Sequence, residues 1–126
     1  MAEHEPPQQE VKTILVVEDD ADIGEILLST FEEMPYNVIV VGDGSQALKI
    51  VTTIKPHLFL LDYYLPAMNG LQLYDQLHSI KGLEDIPTII MSASLPENKI
   101  QQRKIIYLKK PFELNDILEM VAKVLK

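Results

Sequence analysis

The residue best placed in this sequence to take part in chemistry is Asp62. It follows an apolar run over residues 58–61, which is typical of a strand buried on both faces of a parallel sheet. Pro66 prevents the strand from continuing, and Asn69-Gly70 indicates a turn before the next helical pattern. Because ligands of open α/β sheets bind beyond the carboxyl ends of the strands, a carboxylate here is a candidate functional group. The competing interpretation is an acid that only ends a strand and caps a turn.

Polar side chains that suit the same chemistry follow three other predicted strands. Glu18 and Asp19 follow the first strand. Ser92 ends the fourth strand, and Lys110 follows the fifth. Each alone has an ordinary explanation: acids that cap a helix, a serine in a turn, a lysine at the surface. In a doubly wound sheet these strand ends lie along one edge, so together with Asp62 they predict a single site.

The acidic residues predict a site for a hard divalent cation. Crowded carboxylates repel each other, and Mg²⁺ prefers oxygen ligands while it keeps several of its waters. We expect Asp19 and Asp62 to bind Mg²⁺ directly and Glu18 to hold a coordinated water, with Mn²⁺ able to substitute for Mg²⁺. The backbone carbonyl of Tyr64 is a further expected ligand.

The same residues predict transfer of a phosphoryl group to a carboxylate. Asp62 would be the nucleophile that attacks the phosphoryl group and forms an acyl phosphate. The cation, the ammonium of Lys110 and the hydroxyl of Ser92 would each stabilise charge that develops on the phosphoryl oxygens. The predicted catalytic set is therefore Asp62, Lys110 and Ser92.

The elements that must position these residues alternate between strand and helix patterns. The predicted strands cover residues 13–17, 38–41, 58–61, 87–91 and 105–108, and the predicted helices cover residues 21–34, 46–54, 70–81 and 114–125. Asp20 and Ser45 are predicted to cap the first two helices. Such an alternation forms a parallel sheet through right-handed crossovers, so we predict a five-stranded doubly wound α/β fold with helices on both faces.

The pattern is weakest between Ser94 and Ile105. Ile100 is the one apolar residue in the middle of this stretch. The stretch has room for about two helical turns, which is less than a helix needs to hold itself without packing. We therefore predict a shortened or irregular fourth helix here.

Length and composition limit the other possibilities. The 126 residues predict one domain over residues 12–126, after a disordered lead-in over residues 1–11. A net charge of −8 argues against nucleic-acid and anionic-membrane surfaces, which need Lys and Arg. The sequence has no Cys, no signal-peptide core and no run of the ~20 apolar residues of a membrane helix. We expect a cytoplasmic protein.

Four motifs give the chain a resemblance to a known family. They are ILVVEDD at residues 14–20, DYYLPAMNG at 62–70, MSA at 91–93 and YLKKPF at 107–112. In this order and spacing, the chain resembles the receiver domain of bacterial two-component response regulators, the CheY-like superfamily, over residues 12–126. The resemblance implies a flavodoxin-like sheet with the strand order 2-1-3-4-5.

The resemblance also implies a phosphodonor and a role for each site residue. Asp62 would accept phosphate from a phosphohistidine on a histidine kinase or a histidine phosphotransfer protein. Glu18 and Asp19 would form the acidic metal pair. Lys110 matches the lysine of the family because it directly precedes a proline, whereas Lys109 would lie on the surface.

Ser92 and Tyr107 match the switch residues of the family. The Ser92 hydroxyl would move toward the phosphoryl group, and the ring of Tyr107 would enter the space left beside Ala93. The surface formed by the fourth helix, the fifth strand and the last helix would then change shape. A receiver catalyses the phosphorylation and dephosphorylation of its own aspartate and is not a turnover enzyme.

The chain departs from the family pattern between Ser92 and Lys110, where the interval is short by roughly one helical turn. We therefore expect the dimer that many family transcription factors form through this face to be absent. Tyr64 is bulky and is predicted to shield the acyl phosphate, whereas Ser94 is small. Because no output domain follows the last helix, a single-domain receiver is expected, although a receiver excised from a larger protein would show the same sequence.

Two other functions stay open from the sequence. A phosphohydrolase of the haloacid-dehalogenase type also uses an aspartate after a strand, but its cap domain and its second acidic pair have no counterpart here. An adaptor that keeps the receiver fold without phosphorylation is the other alternative. Labelling by acetyl phosphate separates the three functions, because they predict a stable label, turnover and no label.

Overall fold

The five strands in the described part of the chain form one parallel sheet with helices on both faces. The computed structural model describes residues 11–95, 98 and 103–126. The elements are β1 (Lys12–Val17), α1 (Ala21–Glu32), β2 (Tyr36–Val41), α2 (Gly44–Ile50), β3 (Leu58–Asp62), α3 (Gly70–His78), β4 (Thr88–Ser92), β5 (Ile105–Lys109) and α4 (Leu114–Val124). The strand order is β2-β1-β3-β4-β5. The predicted doubly wound fold and its strand order are confirmed.

The central strand β3 is buried along its whole length. It pairs with β1 on one side, where Val17 lies opposite Leu61, and with β4 on the other, where Asp62 lies opposite Met91. A continuous apolar run suits this position because both faces of the strand are covered by helices. The register brings the carboxyl ends of these three strands to one edge of the sheet.

Alternate residues of each strand face opposite hydrophobic layers, as the pleat of a strand requires. Phe59 and Leu61 pack in the layer that contains Leu73 and Leu77 of α3. Leu60 packs in the other layer, which contains residues of α1 and α4. The side chains of these two layers hold the sheet between the helices and leave its carboxyl edge to polar groups.

The first helix begins as predicted. The Asp20 carboxylate caps α1 by accepting hydrogen bonds from the backbone N–H groups of Asp22 and Ile23, at 2.9 and 3.2 Å. The helix ends at Glu32 rather than at residue 34, since the chain turns before Pro35 to enter β2.

The predicted cap of the second helix, Ser45, is wrong. The cap is Asp43, whose carboxylate accepts a hydrogen bond of 2.8 Å from the backbone N–H of Gln46, and Ser45 lies inside α2. The helix also ends at Ile50 instead of residue 54. The hydroxyls of Thr52 and Thr53 donate to backbone carbonyls of the last helical turn, which favours turn conformations over continued helix.

The third helix ends at His78, three residues before the predicted boundary. Gly82, at φ 95°, lies in the turn that follows. The short helix predicted between β4 and β5, which is distinct from α4, falls mainly on residues 96–97 and 99–102. The predicted lead-in falls mainly on residues 1–10. Both of these ranges lie outside the described residues. In the described part of the chain, no helix has the length and apolar character needed to cross a membrane.

Candidate functional site

Three carboxylates converge at the carboxyl edge of the sheet. Asp62 ends β3, and Glu18 and Asp19 directly follow β1, the strand beside it. One carboxylate oxygen from each of the three residues lies within 4.8 Å of the others. Glu18 and Asp62 are only 3% and 5% exposed, whereas Asp19 is open to solvent. The predicted acidic residues therefore come together, with two of them buried.

Lys110 brings a cation to the same place. Its backbone N–H donates a hydrogen bond of 2.9 Å to the carbonyl of Ser92, which fixes the end of β5 beside the end of β4. Its Nζ donates to Oδ1 of Asp62 at 3.2 Å and lies 3.8 Å from Oε1 of Glu18. The side chain of Lys109 is exposed. Of the two adjacent lysines, it is thus Lys110 that reaches the acidic cluster.

Glu18 is the least satisfied member of the cluster. Its Oε2 accepts a hydrogen bond of 3.2 Å from the backbone N–H of Asp20. Its Oε1 is buried and has no hydrogen-bond partner, the one such side-chain atom among the described residues. The pKa of Glu18 is raised from its ordinary 4.5 to about 7, chiefly because the side chain is buried. The hydrogen bond from Asp20 opposes this increase, the nearby Asp62 carboxylate adds to it, and the charge of Lys110 lowers the pKa again.

These features fit a bound divalent cation. A buried carboxylate oxygen without a partner is costly, and a cation coordinated by oxygen ligands would remove that cost. The three acids and Lys110 line a cavity of about 330 Å³, together with Tyr64 and Ser92. The cavity therefore presents carboxylates, a hydroxyl and an ammonium to one small volume, which suits an anionic group held beside a metal.

Ser92 and Tyr107 are linked through the backbone at the end of β4. The Ser92 hydroxyl donates to the carbonyl of Ser94 at 2.8 Å, and the backbone N–H of Ser94 lies 3.2 Å from the same hydroxyl. The hydroxyl of Tyr107 donates to the carbonyl of Ser92 at 2.9 Å. The ring is half-buried and packs against the layer that contains Leu95. A movement of Ser92 can thus affect Tyr107 directly, through the hydrogen bond between them.

The loop that follows Asp62 supports the site through features that the sequence patterns did not predict. Gly70 donates its backbone N–H to the carbonyl of Tyr63 at 2.8 Å, and a Cβ at Gly70 would lie 2.8 Å from the carbonyl oxygen of Asp62. Only glycine allows this close approach.

Ala67 lies in the left-handed region at φ 68°. Asn69, predicted only as part of a turn, caps α3 in a reciprocal pair with Gln72.

Comparison with known sequences finds the same family as the motifs. The family model described as "Response regulator receiver domain" matches residues 14–122. The sporulation initiation phosphotransferase F of Bacillus subtilis is 34% identical over 116 residues, which cover 89% of this chain and 92% of that protein. The phosphate regulon transcriptional regulatory protein of Pseudomonas aeruginosa is also 34% identical, over 91% of this chain. This chain spans 52% of the latter protein, about half of its length.

Comparison with solved structures gives the same fold. The receiver domain of a Francisella response regulator has a TM-score of 0.80 and 29% identity, covering 90% of this chain and 95% of that one. The receiver domain of a sensor histidine kinase from Pseudomonas aeruginosa has a TM-score of 0.81 and 23% identity, covering 93% of this chain and 100% of that one. That structure was solved with a magnesium ion coordinated in its active-site cleft. Receiver domains are signalling domains rather than turnover enzymes. The chain belongs to the response regulator receiver domain family of two-component systems.

Proposed function

We propose that this receiver domain accepts a phosphoryl group on Asp62 from a phosphohistidine of a histidine kinase or a histidine phosphotransfer protein. The observation that carries the proposal is the Asp62 carboxylate itself. It is 5% exposed, lies in a cluster with two other acids and is 3.2 Å from the Nζ of Lys110. A buried carboxylate beside a positive charge and a cation site is suited to attack a phosphoryl group rather than to stabilise the fold.

The cation is proposed to be Mg²⁺, and Mn²⁺ is expected to substitute for it. Asp19, Asp62 and the backbone carbonyl of Tyr64 would bind it directly, and Glu18 would hold one of its waters. The magnesium ion of the Pseudomonas aeruginosa neighbour supports this choice, and so does the partnerless Oε1 of Glu18. When bound, the ion neutralises charge on the phosphoryl oxygens and on the acids that face them.

Each polar residue has a proposed part in the transfer. An oxygen of Asp62 attacks phosphorus, forming the O–P bond of an aspartyl phosphate, as the bond from phosphorus to the donor nitrogen breaks and its electron pair leaves with the nitrogen. The ammonium of Lys110 stabilises charge on the phosphoryl oxygens as a compact point charge. Ser92 donates its hydroxyl to another of these oxygens. These contacts place the catalytic work on positioning and electrostatics.

Phosphorylation is proposed to switch a protein-interaction surface through Ser92 and Tyr107. The added charge of roughly −1.5 to −2 draws the Ser92 hydroxyl away from the carbonyl of Ser94. Because the hydroxyl of Tyr107 is bonded to the carbonyl of Ser92, the ring of Tyr107 and the surface of β5 respond to that movement.

The ring of Tyr64 is proposed to shield the aspartyl phosphate from water. Tyr64 lines the cavity that contains Asp62, and its side chain is large. We expect Tyr64→Asn to shorten the lifetime of the phosphorylated protein, measured as loss of label after the donor is removed. An unchanged decay rate would exclude shielding.

The output is proposed to be a contact with another protein in the cytoplasm, without nucleic acid or membrane. The net charge of −8 supports this, because both of those surfaces attract basic proteins. The Bacillus subtilis relative, whose name describes a phosphotransferase, supports a role in which this chain passes its phosphoryl group onward in a relay.

Labelling by radioactive acetyl phosphate tests the proposed function. The protein should take up label only with Mg²⁺ or Mn²⁺, Asp62→Asn should abolish uptake, and Asp19→Asn should reduce it strongly. Asp43→Asn is the matched control, because it changes an acid that follows β2 at the same edge while the new amide can still cap α2. Release of phosphate without any accumulation of labelled protein would indicate a hydrolase instead, and no label and no release in the wild type would indicate a non-phosphorylated adaptor.

A further inference from the structure

The side chain of Tyr64 has a position that shielding alone does not explain. It is 64% exposed, more than any other large hydrophobic side chain in the described part of the protein. Tyr64 is also the only aromatic residue among the described residues that line the cavity with Asp62 and Lys110. An exposed aromatic residue that lines a charged cavity offers a ring face on which a flat ligand can stack.

The ring is held in place by its neighbour. Tyr63 packs edge-on against Tyr64, with ring centroids 4.9 Å apart and an interplanar angle of 86°. Tyr63 is itself half-buried, packs against the layer of α2 and α3, and donates its backbone N–H to the carbonyl of Met91 at 2.9 Å. An aromatic ring that is already oriented loses little conformational entropy when a ligand binds to it.

We propose that the ring of Tyr64 binds the planar leaving group of the phosphodonor and so makes the site selective for imidazole-bound phosphate. The proposal rests on the proposed function, because it concerns the donor from which Asp62 takes its phosphoryl group. As the Asp62 oxygen bonds to phosphorus, the P–N bond breaks and its electron pair stays on the nitrogen. A donor imidazole that is protonated on its other nitrogen leaves as neutral imidazole, so no further proton is needed.

The division of groups within the cavity supports this selectivity. The acids suit the cation, and the hydroxyl of Ser92 and the ammonium of Lys110 suit the phosphoryl oxygens. These interactions are the same for every donor, because every donor carries the same phosphoryl group. Among the described residues that line the cavity, only Tyr64 has an aromatic ring on which a flat heterocycle can stack. Acetyl phosphate and phosphoramidate carry the same phosphoryl group without a ring, so they gain nothing from it.

The test compares two nitrogen-bound donors, phosphoimidazole and phosphoramidate, in Mg²⁺. The rate constant for labelling at low donor concentration is measured with each, and their ratio cancels any general damage to the site. Tyr64→Ala and Tyr64→Leu should lower the ratio of phosphoimidazole to phosphoramidate by about three- to tenfold, the size expected for one aromatic pair. Tyr64→Phe keeps the ring and should keep the ratio of the wild type.

Two comparisons separate this role from shielding and from general effects of surface changes. Tyr64→Leu keeps an apolar side chain over the cavity, so it should preserve much of the lifetime of the aspartyl phosphate while it loses donor selectivity. Ile26→Ala, which removes another exposed apolar side chain that does not line the Asp62 cavity, should leave the ratio unchanged.

An unchanged ratio in Tyr64→Ala would overturn the proposal, even if both donors label Asp62 and the proposed function stands. Loss of selectivity in Tyr64→Phe would also overturn it, because the hydroxyl rather than the ring would then be responsible. If neither donor labels the wild type, the proposed function fails and the selectivity fails with it.

Discussion

The middle of the sheet and its carboxyl edge belong to the same strands but bury different kinds of side chain. In the middle, Leu60 and Ile89 are fully buried and apolar. At the carboxyl edge, the chain buries Glu18, Asp62 and Ser92. These are three of the four buried polar or charged side chains in the part of the chain that the structure describes, and the fourth, Thr88, lies at the opposite end of β4.

The difference separates residues that stabilise the fold from residues kept for chemistry. Apolar burial contributes favourably to folding, whereas a buried carboxylate without a full set of partners opposes it. Glu18, with one oxygen unpaired and a raised pKa, is the clearest example. The stability that the apolar layers provide thus offsets the cost of burying acids at the carboxyl edge.

The largest expected effect is in the middle of the sheet. Leu60→Ala removes a fully buried side chain from the layer between the sheet and α1 and α4, and should lower the free energy of unfolding by about 2–5 kcal/mol. Urea denaturation measures the loss. Leu114→Ala, which truncates a leucine that is 43% exposed, is the control and should cost far less. Equal losses in the two variants would contradict the contrast between interior and surface.

The next effect is at the carboxyl edge and depends on pH. Because the folded protein raises the pKa of Glu18 from 4.5 to about 7, the folded state binds the Glu18 proton more tightly than the unfolded state does. The contribution of Glu18 to stability is therefore fully present below about pH 4.5 and is lost as the pH rises through about 7, by up to about 3 kcal/mol.

Urea denaturation between pH 4.5 and 8, with a chelator present, measures this dependence. Glu18→Gln should remove most of the decline with pH. Mg²⁺ added to the wild type should restore stability at the alkaline end, since a cation would take the place of the proton. A decline of equal size in Glu18→Gln would show that another group is responsible.

The smallest effect is in the loop that follows Asp62. Ala67 lies at φ 68°, where a side chain is strained, so Ala67→Gly should raise the free energy of unfolding by about 0.5–1 kcal/mol. Gly82→Ala is the converse control. It places a side chain at φ 95° in open space and should lower stability through the backbone alone. A loss of stability in Ala67→Gly would mean that the left-handed conformation is not a source of strain.

What could be predicted from the sequence follows the same division. The strands and the grouping of Asp62 with Glu18 and Lys110 follow from apolar runs that each end in a polar residue, because parallel strands end at one edge. The choice of Asp43 over Ser45 as a helix cap could not be predicted, since both residue types cap helices well. The unpaired oxygen of Glu18 and the left-handed Ala67 depend on packing between distant segments, which leaves no local pattern in the sequence.

The most direct test of the central claim is to find which residue carries the phosphoryl group. The protein is labelled with acetyl phosphate in Mg²⁺, the acyl phosphate is reduced with borohydride, and the peptides are sequenced by mass spectrometry. We predict that reduction converts Asp62 to homoserine and leaves Glu18 and Asp19 unchanged. Reduction at another acid, or at none in a labelled protein, would contradict the assignment of Asp62 as the phosphoacceptor.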